Sequence, residues 1–109
     1  MSDAGTDLGT IGGTISIPYD INEQGLVVGD SYTSGNLAQH AFVYDGTTMR
    51  DLNDLLDSSG TGWTIAEAKG INEAGQIAGY AYYGSATVGH AVLLTPSWSV
   101  GWLSLMAKR

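Results

Sequence analysis

Residues 20–44, DINEQGLVVGDSYTSGNLAQHAFVY, and residues 70–94, GINEAGQIAGYAYYGSATVGHAVLL, align without a gap at a shift of fifty. Eight positions are identical: Ile21/Ile71, Asn22/Asn72, Glu23/Glu73, Gly25/Gly75, Gly29/Gly79, Tyr32/Tyr82, His40/His90 and Ala41/Ala91. A chain built this way folds as two copies of one supersecondary unit, each with a face that it cannot bury alone. A second echo opens each unit: Asp7-Leu8-Gly9 resembles Asp51-Leu52-Asn53 at a spacing of 44. The second unit therefore carries about six extra residues, placed in Ser58–Trp63, a stretch with loop composition.

The local signals are those of strands and tight turns. Gly, Ser and Thr make up a third of the 109 residues, and no window keeps helical periodicity beyond two turns. Ile-Asn-Glu-x-Gly precedes a β-rich run in both units, and its Asn and Gly suit a hairpin turn ending in a glycine bulge. Asp45-Gly46 marks another hairpin. Four strands per unit are expected, near 15–21, 25–33, 38–45 and 47–52, then near 64–71, 75–83, 88–94 and 97–105. Leu52–Leu56 has room for one short turn. In the second strands Val27, Gly29 and Ser31 match Ile77, Gly79 and Ala81, small residues that suit close backbone approach. Ala41 and Val43 alternate with Phe42 and Tyr44, so the third strand is expected to be buried on both sides.

The chain is thus expected to be a single all-β domain, 1–109, of two repeats, about 6–49 and 50–105. Each is a four-stranded antiparallel unit of the size of a propeller blade. Two blades do not close a propeller, so the ring is expected to be completed by oligomerisation, two to four copies sharing an axis. The alternatives are an eight-stranded sandwich or barrel, and a fragment of a longer array.

Charge narrows the partners. The formal net charge is −7, and Lys108 and Arg109 lie at the end, leaving Arg50 and Lys69 as the basic residues of the body. That excludes a basic patch and argues against nucleic acid and anionic lipid. There is no cysteine, so disulfides, zinc–thiolate sites and thiol nucleophiles are excluded. Met1-Ser2-Asp3 shows no signal peptide. The apolar tail Trp98–Ala107 is shorter than the roughly 20 residues a helix needs to span a bilayer, so no membrane span is expected. The alternation of Trp98, Val100 and Trp102 with Ser99, Gly101 and Leu103 reads as a last strand.

Asp-Leu-Gly-Thr-Ile-Gly-Gly (7–13), Ile-Asn-Glu-x-Gly-x-x-x-Gly (21–29 and 71–79) and His-Ala-Phe (40–42, with His-Ala-Val at 90–92) resemble the extracellular HAF-repeat proteins of bacteria. The likeness covers about residues 6–95. It implies an exported, propeller-like β-repeat protein, extracellular or at the cell surface, and brings no catalytic residues. Leu93-Leu94-Thr95-Pro96 fits the junction that precedes a sorting segment in such proteins, whereas the Trp-rich tail departs from the sorting signal itself.

Several residues bear chemistry. His40 and His90 are general-base or ligand candidates, but their equivalence in the repeat favours a structural role, bonding the Asn-Glu turn. Glu23 and Glu73 offer an acid/base pair, although turn positions favour solvated carboxylates. Asp51, Asn53, Asp54 and Asp57 form an oxygen-rich stretch for calcium, without the twelve-residue calcium-loop spacing. No Gly-x-Ser-x-Gly marks a serine nucleophile, and Gly12-Gly13 lacks the lysine and helix of a phosphate loop. Tyr32, Tyr82, Tyr83 and Trp63, with Trp98 and Trp102, are the aromatic candidates for stacking on sugars. Trp63 is the one least explained by packing if it lies in the inserted loop.

These residues lead to a non-enzymatic, exported β-repeat binding or structural module that assembles with itself. The alternatives are a lectin-like carbohydrate binder, and a hydrolase or lactonase using a His and carboxylates, with calcium as a possible cofactor.

Overall fold

The computed structural model describes residues 5–97 and the backbone of 104–108. The tail expectation at Trp98 and Trp102 lies outside the described residues, as do Met1–Asp3. Eight strands are present: β1 (Gly12–Ile21), β2 (Val27–Thr33), β3 (Gln39–Tyr44), β4 (Met49–Asp51), β5 (Trp63–Ile71), β6 (Ile77–Tyr83), β7 (His90–Ser97) and β8 (Ser104–Lys108). They form two antiparallel meanders, ordered β1-β2-β3-β4 and β5-β6-β7-β8. Among the described residues the sheets stay open and separate, without the closed barrel considered above.

The turns follow from their residues. Gly25 N–H donates to Asn22 O at 3.0 Å and Gly75 N–H to Asn72 O at 3.0 Å, with φ of +86° and +84° at the glycines. Only glycine takes that conformation without a Cβ penalty, and it ends the expected bulged hairpin. Between β3 and β4, Asp45 Oδ1 accepts Thr47 and Thr48 N–H at 2.9 and 2.8 Å, and Gly46 has φ +100°. Leu52–Leu55 forms the one short turn expected there, a 3-10 segment whose Asn53 N–H is capped by Asp51.

The repeat is visible in the ladder. Ile17↔Asp30, Pro18↔Gly29, Asp20↔Val28 and Ile21↔Val27 recur as Glu67↔Tyr80, Ala68↔Gly79, Gly70↔Ala78 and Ile71↔Ile77, bulge included. A Cβ at Gly29 would collide with the Ile17 carbonyl, and one at Gly79 with the Glu67 carbonyl, so the close approach expected here is between neighbouring strands. The units part at one point. Ile65 pairs with Ala81 through an extra bulge, whereas Ser16 takes that place opposite Ser31. A slip of one residue flips a side chain to the other face. Ile65 therefore shares the buried face of Ala81, whereas Ile15 shares the face of Asp30 and Tyr32, where it is 49% exposed.

The core lies between the sheets. The inner face of the first contributes Val28, Ala41 and Val43, and that of the second Ile65, Ala68, Ile77, Ala81, Val92 and Leu94, with Leu52 from the connection. Residues 8–11 lie against the outer face of the first sheet, tied down by Ile11 N–H to Ser31 Oγ at 3.0 Å and Ser16 Oγ to Gly9 O at 2.7 Å. β3 is buried on both sides as expected, at Ala41, Phe42 and Val43. In β7 Val92 and Leu94 are buried, whereas Ala91 and Leu93 face solvent.

Candidate functional site

Polar side chains join the units, half of them through equivalent positions. Asn22, 6% exposed, holds its own turn by accepting Gln24 and Leu26 N–H at 3.0 and 3.1 Å. Its Nδ2 donates across to Asn72 O at 3.1 Å. Glu23 N–H donates back to both carboxylate oxygens of Glu73, at 2.9 and 3.2 Å. The two turns thus stand side by side, fifty residues apart. Glu73 is a backbone acceptor here, and both glutamates are exposed. Two further bonds cross the interface without a repeat counterpart. Asp20 Oδ2 accepts Ile71 N–H at 2.9 Å, and buried Asp30 accepts Ala68 N–H at 3.2 Å through one oxygen and Gln39 Nε2 at 2.8 Å through the other. Burial pushes the Asp30 carboxyl up, against the pull of these bonds and of the Lys69 charge.

His40 does not bond the Asn-Glu turn; that expectation fails because the turn sits at the opposite end of the sheet. His40 Nδ1 donates to Asp51 Oδ2 at 2.7 Å. Asp51 Oδ1 accepts from the Asn53 N–H and Nδ2, each at 2.9 Å, and the Asn53 side chain goes on to bond both Ile65 N–H and O. Ser31 pairs with His40 across β2–β3, completing a Ser–His–Asp row on the outer face. Its Oγ, however, accepts Ile11 N–H and donates to Tyr32 O at 3.3 Å, so it is not aimed at the imidazole as a nucleophile. An open groove of about 320 Å³, lined by Ile11, Met49, Arg50, Asp51, Asp54 and Leu55, lies alongside. His90 is different: it is exposed, and its ring meets Trp63 edge-on at 6.3 Å.

The oxygen-rich stretch divides into caps. Asp51 caps the 3-10 turn at Asn53, and Asp57 caps the next one at Ser59 N–H, 2.9 Å. Among the described residues, no three His, Cys, Asp or Glu side chains gather to hold a metal ion. Asp7 makes the same local turn as Asp51, accepting Gly9 N–H at 2.9 Å, so the echo in the sequence is also one of geometry.

Trp63 is not in a loop. It opens β5, half-buried, and packs on Tyr83 at 5.2 Å between ring centroids, edge-on. The sequence reading misplaced it because the insertion ends one residue earlier. Tyr83 is 56% exposed. Tyr82 pairs with Tyr80 at 5.5 Å, away from that platform. Tyr32 lines a cavity of about 40 Å³, which holds a few waters at most and no sugar ring. Sequence reasoning passed over Asp20 and Asp30. Their signal was that each breaks the repeat, facing Gly70 and Tyr80 at the matching positions.

Residues 9–90 match the family described as Protein of unknown function (DUF3466), and the chain belongs to that family. No curated protein and no solved structure gives a match. No helix among the described residues is long and apolar enough to cross a membrane.

Proposed function

We propose that the chain is a non-enzymatic β-repeat module that works by assembling with copies of itself, completing a blade ring and presenting its loops for binding. The observation that carries this reading is the contact between equivalent turns, Asn22 Nδ2 to Asn72 O. Equivalent residues meet when repeated units stack about or along a common axis, and such units propagate. The likeness to exported HAF-repeat proteins supports an extracellular setting. The His40–Asp51 pair serves as a clamp between β3 and the connection to the second unit.

Thermal midpoints separate this reading from a hydrolase or lactonase. His40→Ala should lower the midpoint, because it strands a half-buried carboxylate, while His90→Ala should stay near wild type. A His40→Ala protein of unchanged midpoint that loses wild-type turnover on an ester or lactone panel would contradict it. The exposed Tyr83 ring beside Trp63 favours, as a second reading, stacking on a carbohydrate. A glycan array on wild type and Tyr83→Ala tests that reading, which requires binding that the variant loses.

A further inference from the structure

Against each other the two units turn opposite faces. Val28, Ala41 and Val43 of the first are fully buried, while their equivalents Ala78, Ala91 and Leu93 are exposed, Leu93 by 40%. Conversely Ala68 and Ile77 of the second are fully buried, and Ile71 packs against the core. Their equivalents Pro18 and Ile21 are exposed, Ile21 by 61%, and Val27 is half-buried. Pro18, Ile21 and Val27 line an open apolar groove of about 450 Å³ together with Leu8. Leu8 is the echo of Leu52, the residue buried between the sheets.

We propose, resting on the assembly reading above, that a second copy of this chain seats the outer face of its first sheet on the outer face of the second sheet, head to tail. Leu93, Ala91 and Ala78 of one copy enter the groove of Leu8, Pro18, Ile21 and Val27 of the next, as Val43, Ala41 and Val28 meet the second sheet within one chain. At the rim, Asn72 Nδ2 donates to Asn22 O of the next copy, and Glu73 N–H to the exposed Glu23 carboxylate. Such a contact joins different surfaces of the two copies, so it closes a ring or extends a filament. It is weaker than the internal contact, because Gly70 and Tyr80 cannot repeat the bonds of Asp20 and Asp30.

Two variants at exposed positions test this with the full chain, their folding checked by circular dichroism. Leu93→Arg blocks the tail face and Ile21→Arg the head face. Each alone should have the mass of one chain, and an equimolar mixture should form a capped dimer of twice that mass. Single variants that keep the wild-type mass would overturn the head-to-tail surface while leaving assembly through another face intact. A mixture that stays at one chain's mass would also overturn it. A monomeric wild type at all concentrations would remove both this inference and the reading it rests on.

Discussion

Asp30 shows how far a single side chain controls this fold. Its two oxygens hold Ala68 of the facing sheet and Gln39 of its own, in a site that water scarcely reaches. Asp30→Ala should cost about 1–3 kcal/mol, since it leaves the Ala68 N–H without a partner. The folded carboxyl binds its proton more tightly than the unfolded one, whose usual value is 3.8. Ionised Asp30 therefore subtracts stability at neutral pH. That loss is absent below the unfolded value and develops as pH rises through the raised folded value. Asp30→Asn keeps an acceptor for Ala68 and removes the charge, so its urea midpoint should gain on wild type from acid to neutral pH. A constant difference would refute the assignment. Gly29 and Gly79 are the second control point. Gly29→Ala or Gly79→Ala should each cost about 1–3 kcal/mol, because the added methyl meets a neighbouring carbonyl and not a yielding side chain.

Individual hairpins carry the next level. The β3–β4 turn depends on Asp45, whose carboxyl is held below its usual range, first by the Thr48 N–H, then by Thr47, with Arg50 adding to both. Its contribution is present above the unfolded value of 3.8 and is lost as pH falls through the lowered folded value. An Asp45→Asn variant should lack that part of the acid limb when thermal midpoints are followed downward in pH. The two Asn-Glu turns look alike in sequence yet differ in burial. Asn22→Ala should cost about 1–3 kcal/mol, and exposed Asn72→Ala about 0.5–1.5 kcal/mol. Equal losses would contradict the asymmetry. These turns, the glycine bulges and the short segment at Leu52–Leu55 were legible because each rests on a few adjacent residues. The flip of Ile15 against Ile65 was not, since it depends on an extra bulge that β5 makes between Ile65 and Glu67 and β1 does not. Nor was the His40–Asp51 pair, whose members come together only through the β3–β4 register. Trp63 was misread because a loop composition gives no sign of the residue at which pairing begins.

Taken whole, the molecule is two open sheets with one shared core and two outer faces that match the inner ones by repeat position. Length and repeat announced the all-β architecture and the two meanders, while the last strand, expected near 97–105, is seen at Ser104–Lys108 with 98–103 outside the described residues. They could not announce which face of each unit would be covered, because burial is decided by the order in which the units stack. Both ends of the stack leave apolar side chains in water, Ile21 at one and Leu93 at the other. In the proposed assembly the internal interface is the template for the one between copies. Light scattering of the wild-type chain over a range of concentrations reads this most directly. The account predicts a mass of two to four times 11.4 kDa that falls on dilution, and a particle of 11.4 kDa at every concentration would contradict it.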